Sequence, residues 1–166
     1  MRVYVLLAGY RADDRGKVTP VIFLAQKYGL PAKWSSTEGL FMPFGGGVEH
    51  GETIGEAADR ELREEIGRPW LDQHRLPAVS MPFGLPSLER YGNMGVHQMG
   101  LMGDAHFLAL PVDVGLPSYR RLLAEVGTRD EGGVVAIPFH NLAALRSAIA
   151  PSVLPLVEAL FAKMTT

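Results

Sequence analysis

The 166-residue chain has no cysteine, which excludes disulfides and thiolate metal sites and fits a reducing compartment, so the cytoplasm is the expected location. Long apolar runs are also missing. No stretch approaches the ~20 residues of a membrane-spanning helix, so no membrane partner is expected. The opening MRVYVLLAGYRADDRGK turns charged too soon for a secretory signal and reads as a first strand. Charge of one sign is not in excess either: 16 lysines and arginines against 18 acids give a formal net charge of −2. The basic residues are spread along the chain, so a nucleic-acid polymer is not an expected partner. The five histidines form no spaced metal pair and read as structural. There is no internal repeat, low-complexity tract or linker. A chain 47% hydrophobic and 20% charged, of this length, has ordinary globular composition and fits a single domain over 1–166.

Two β-rich apolar runs, Arg2 to Gly9 and Pro20 to Lys27, flank the polar YRADDRGKVT and predict a pair of buried strands joined by a turn. A short extended piece, Leu40 to Phe44, leads into three consecutive glycines. Thr53-Ile54-Gly55-Glu56 is a capping box that opens a helix, and Gly67 with Pro69 supplies its stop. Further strands are expected at Ala78 to Phe83, His106 to Val112 and Val134 to Pro138. Helical spacing covers Pro117 to Val126, Asn141 to Ile149 and Pro151 to Met164. Together these predict an α/β fold, a mixed sheet flanked by helices. The stretch Leu85 to Ala105 is rich in glycine and has no clear period, so it reads as a long loop, either functional or disordered.

The segment RELREEIG, Arg60 to Gly67, puts acids where core-facing residues belong. With about 100° per residue on a helical wheel, Ala57, Ala58, Leu62 and Ile66 cover roughly half the circumference. Glu61 and Glu65 fall near the middle of that apolar arc, about 40° apart, while Glu56, Asp59 and Arg63 lie opposite. A solvated charged face, supported by Arg60 and Glu64 at i,i+4, accounts for Glu64 but not for the other two. Two like charges turned toward apolar surface cost several kcal/mol per ion, on the order of the usual desolvation penalty, unless something neutralises them. A hard divalent cation does so, and it can bind substrate phosphates in its remaining positions. The glycines before the helix let loop backbone approach the same ions and a pyrophosphate.

Gly46, Glu52, Arg60, Glu61, Leu62, Glu64, Glu65 and Gly67 stand as G-x5-E-x7-R-E-U-x-E-E-x-G, with U a bulky aliphatic. This resembles the signature of the Nudix hydrolases. Two positions depart from it: Arg68 replaces the final aliphatic, and Phe44 stands where many relatives have proline. The resemblance implies a Nudix-like α/β/α sandwich and hydrolysis, with Mg²⁺ or Mn²⁺, of a small-molecule nucleoside diphosphate linked to another moiety. It further implies that Glu61, Glu64, Glu65 and the carbonyl of Gly46 hold metal, that Arg60 orients the glutamates, and that Glu52 pairs with Arg60 or braces the loop. The general base stays open between Glu64 and Glu131, with Asp104 a third choice. A homodimer also stays open.

Substrate identity is less legible. SMPFGLPS, Ser80 to Ser87, partly resembles the signature of Nudix enzymes that cleave NADH, but a proline-punctuated strand end explains it equally well. The rival class is a Nudix-fold module that senses a nucleotide without cleaving it. Such modules commonly lose a motif glutamate, and this chain keeps all of them.

Overall fold

The two N-terminal apolar runs form the longest strands of the computed structural model, which describes residues 1–12, 14–26, 39–66, 97–102, 105–112 and 134–165. Strand β1 spans Arg2–Ala12 and β2 spans Val18–Gln26, both longer than the apolar runs alone predict. The added residues pair across the hairpin, Tyr10 with Pro20, Arg11 with Thr19 and Ala12 with Val18. Pairing satisfies backbone groups that the polar side chains there would not have advertised.

Both strands are apolar on two faces because both faces are covered. On one side Val3, Val5, Leu7, Val21, Phe23 and Ala25 join Ala57, Ala58, Leu62 and Ile66 of helix α1, Ile54–Glu65, and its C-cap. On the other side Leu6, Ala8, Ile22 and Leu24 pack with Val153, Val157, Leu160 and Phe161 of the C-terminal segment, whose helix α3 spans Leu154–Met164. Odd-numbered residues of β1 therefore face α1 and even-numbered ones face α3.

Among the described residues the sheet has seven strands and is mixed: β1 runs parallel to β6, Ala105–Pro111, and antiparallel to β2 and β4, Phe44–Gly47. Beyond Leu7 and Phe23 the pairing of β1 with β2 ends, and the two strands fork. Strand β3, Phe41–Met42, pairs with β2 inside that fork, and β4 pairs with Arg2 to Val5 of β1 on the same edge that β2 uses farther along. The third glycine, Gly47, closes β4, so the glycine run is a strand and not a loop. Strand β7, Val134–Pro138, lies on the far edge of β2 as the apolar run predicts.

The expected strand at His106 to Val112 is β6, with Val112 adding a hydrogen bond to the Ala8 carbonyl. The expected helix at Asn141 to Ile149 is broken into a 3₁₀ turn at Phe139–Asn141, helix α2 at Leu142–Leu145 and a second 3₁₀ turn at Arg146–Ala148. Part of the stretch read as a loop is a strand: β5, His97–Met102, pairs antiparallel with β6. A register shift between Gln98 and Gly100 interrupts it. Such a bulge breaks the alternation of sides, so no period of two survives in the sequence. The strand expected at Ala78 to Phe83, the helix at Pro117 to Val126 and the stop at Gly67 and Pro69 lie outside the described residues. No helix among the described residues is long and apolar enough to cross a membrane.

Leu62 is fully buried between α1 and the sheet. Leu62→Ala should therefore cost about 2–5 kcal/mol in urea unfolding, transfer and cavity terms combined. Val18→Ala, at a half-exposed position, should stay within about 0.5 kcal/mol.

Candidate functional site

Helix α1 starts where the wheel requires it, because Thr53 and Glu56 cap each other. The Glu56 amide donates to Thr53 Oγ1 at 3.1 Å, and the Thr53 amide donates to Glu56 Oε2 at 2.8 Å. That start fixes the phase of every later residue. Glu65 is 7% exposed, the Glu61 side chain 14%, and the Glu64 side chain 60%. Two of the three acids turn inward and one turns out.

The inward acids meet the glycine strand. The Gly45 amide donates to Glu65 Oε2 at 3.0 Å, and a Cβ built on Gly46 would stand 2.6 Å from Glu61 Oε1. A side chain at residue 46 would push that carboxylate aside. Gly45 has φ of 140°, and a side chain there would collide with the Val3 carbonyl of the neighbouring strand. Consecutive glycines therefore serve two demands, one of conformation and one of close approach.

Arg60 ties these parts together. Its Nε and Nη2 donate to the two oxygens of Glu52 at 2.7 and 3.0 Å, a bidentate pair. Nη2 also donates to the Gly47 carbonyl at 2.9 Å, Nη1 donates to Glu61 Oε1 at 3.0 Å, and Glu64 Oε1 stands 3.6 Å from Nη1. Glu52 in turn accepts from the Glu49 amide at 2.8 Å, so it both pairs with Arg60 and braces the turn before the helix. The hydrogen bonds from Arg60, and secondly from the Glu49 amide, hold the Glu52 carboxyl below the usual carboxylate range. Its bond to Glu52 raises Arg60 further, so the guanidinium stays charged.

The inward acids are thus not left to repel one another. A guanidinium sits on Glu61 and a backbone amide on Glu65, a compensation that the expectation of metal alone did not include. Among the described residues, no three acid or histidine side chains gather closely enough to hold a metal ion. The donor set is nonetheless made of hard oxygens beside a strand without side chains, which suits Mg²⁺ or Mn²⁺ better than a soft metal. Gathering a third carboxylate requires Glu64 to turn inward from its exposed position.

Of the residues singled out in the sequence, Gly46, Glu52, Arg60, Glu61 and Glu65 lie together, and Glu64 lies at the solvent edge of the same group. Glu131, Asp104 and Ser80 to Ser87 fall outside the described residues. One residue passed over as structural stands on the face of the sheet that α1 covers: His106, in phase with Leu108 and Leu110 of β6. Its Nδ1 is buried and has no hydrogen-bond partner among the described residues.

The NUDIX domain family model matches residues 4–117, most of the chain. The chain belongs to the Nudix hydrolase family. Its fold is shared by a MutT/Nudix family protein from Listeria innocua, with a TM-score of 0.62 at 18% identity over 99% of this chain and 92% of that one. A Nudix hydrolase from M. smegmatis, RenU, matches with a TM-score of 0.54 at 15% identity over 99% and 82%. A protein from Jonesia denitrificans, described as a possible asymmetric diadenosine tetraphosphate hydrolase, matches with a TM-score of 0.52 at 15% identity over 98% and 94%. No curated protein matches in sequence.

The depressed Glu52 carboxyl sets an acid dependence. Both folded and unfolded states carry the charged form above the unfolded value of about 4.3, so the pair's contribution is fully present there. It is lost as pH falls through that value toward the lower folded one. In urea melts across a pH series, Glu52→Gln should destabilise the protein at neutral pH and show a shallower loss of stability than the wild type below about pH 4.3.

Proposed function

We propose that this Nudix protein hydrolyses a phosphoanhydride bond in a nucleoside diphosphate linked to another moiety, with Mg²⁺ or Mn²⁺ as cofactor. The single observation that carries this reading is the pair of inward carboxylates, Glu61 and Glu65, set against Gly45 and Gly46 inside the family motif. In this reading the chain acts as one domain in the reducing cytoplasm. Glu61, Glu64, Glu65 and the Gly46 carbonyl hold the cation, which supplies positive charge to phosphate oxygens and acidifies water.

The remaining work falls to the protein's own groups. Arg60 keeps Glu61 aimed at the glycine strand, and Glu52 keeps Arg60 in place. Glu64 or Glu131 takes a proton from the attacking water as its oxygen bonds to phosphorus, while the anhydride P–O bond breaks and its electron pair leaves with the departing phosphate. Catalysis is mainly positioning and electrostatics. Dinucleoside polyphosphates belong to the substrate panel because the Jonesia protein is described as a possible hydrolase of one, and NADH belongs there because of Ser80 to Ser87. The non-catalytic sensor is the second reading. It is disfavoured because Glu52, Glu61, Glu64 and Glu65 are all retained.

Purified protein incubated with Mg²⁺ and a panel of such compounds, followed by phosphatase and a phosphate assay, should show turnover that vanishes with chelator. Full turnover after exhaustive chelation would overturn the cofactor, and binding across the panel without turnover would favour the sensor. Glu65→Gln keeps the acceptor for Gly45 and removes one buried charge. It should leave the metal-free melting temperature unchanged or raised, shrink the stabilisation by Mg²⁺, and abolish most turnover. For the base, Glu131→Gln lowering kcat by about 10² or more with Mg²⁺ affinity little changed identifies Glu131 as the proton acceptor. A loss below about tenfold assigns the step to Glu64 or to water alone.

A further inference from the structure

His106 is the second residue of β6 and pairs with Val3 of β1, which pairs on its other edge with Gly46 of β4. The three residues form a row across one end of the sheet. Val3, Leu108 and Leu110 all belong to the core cluster under α1, so the alternation of β6 puts His106 on that same face. Its neighbour Phe107 lies on the opposite face, where it stacks on Tyr4 with ring centroids 5.4 Å apart. The imidazole therefore shares a face and a sheet end with Glu61, which lies against Gly46.

The unpartnered Nδ1 is the second observation. Buried ring nitrogens in native structures are usually hydrogen-bonded, so one that has no partner among the described residues calls for one from outside them. Two strand spacings, roughly 10 Å, separate the backbones of Gly46 and His106. Val3 fills the row between them, so a phosphate group held at the acids meets the imidazole only when the partly buried His106 side chain turns toward them. Imidazole is a ready donor to phosphate oxygens.

We infer that His106 contacts the substrate's phosphate chain, its Nδ1–H donating to a non-bridging phosphate oxygen beyond the acids of α1. The inference rests on the hydrolase reading and adds to it a specificity-determining contact on β6. Such a contact, made alike in ground and transition states, appears in KM more than in kcat.

The test joins kinetics with a binding signal. With the best substrate of the panel, His106→Ala should raise KM by about tenfold or more with kcat within about threefold. His106→Asn, whose amide nitrogen takes the place of Nδ1, should restore KM to within about threefold, whereas His106→Gln, which reaches the place of Nε2, should not. His106→Leu should melt no lower than the wild type without ligand, because it removes a buried polar atom that has no partner. In ¹⁵N-histidine-labelled protein, methylenebisphosphonate with Mg²⁺ should shift the His106 Nδ1 resonance. Unchanged KM in His106→Ala together with an unmoved Nδ1 signal, in a protein that still turns over substrate, overturns the contact and leaves the hydrolase intact. A shifted Nδ1 in a protein without turnover keeps the contact and overturns the hydrolase.

Discussion

The close approach of α1 to the glycine strand is the constraint on which the rest of the site depends. The Glu61 carboxylate lies within 2.6–3.0 Å of where a Cβ of residue 46 would be, and Glu65 accepts from the amide of residue 45. Neither contact forms against an ordinary strand, whose side chains hold a packed helix farther away. The fork between β1 and β2 has a purpose in this light. It admits β3 and β4 into the sheet, so that a strand without side chains, not a mobile loop, lies beneath the acids. Rigid strands hold a site more closely than loops do.

Arg60 then decides the charge state of that contact. Its guanidinium binds Glu52 through two bonds, Glu61 through one and the Gly47 carbonyl through another. The bidentate pair with Glu52 is the stronger anchor, and the bond to Glu61 is the one that would compete with the proposed cation for the same oxygen. Such a cation would require only the Nη1 contact to loosen, since Glu52 and Gly47 would keep the guanidinium at hand. Because Arg60 is half-buried, solvent screens these pairs, and their value lies in orientation more than in stability.

Much of this was legible in the chain. The phase of α1 follows from a capping box and 3.6-residue spacing, and the same spacing placed Glu61 and Glu65 inward and Glu64 outward from Ile54 alone. The strands β1, β2, β6 and β7 were legible because burial on both faces leaves continuous apolar runs. The fork was not, since strand pairing is a long-range property and the three glycines of β4 are poor strand formers. Strand β5 was hidden by its register shift, and the breaks around α2 by weak local preferences that tertiary contacts overrode. His106 reads as an unremarkable histidine until Leu108 and Leu110 are known to face α1.

The remaining question is what holds two acids against a sheet before any cation arrives, and the same helix supplies the answer. Leu62 and Ile66 flank Glu65 in sequence and are buried between helix and sheet. Each contributes about 1.5–3 kcal/mol by burial, enough together to offset the desolvation of one hydrogen-bonded carboxylate. Ala57 and Ala58 sit one turn earlier on the same arc, fully buried, and their small side chains set how low the helix rides. Larger residues there would lift α1 from the sheet and draw Glu61 off Gly46 even with every acid retained. The site thus depends on alanines that touch no substrate as well as on the glutamates, because the distance between helix and sheet is set by the former and used by the latter.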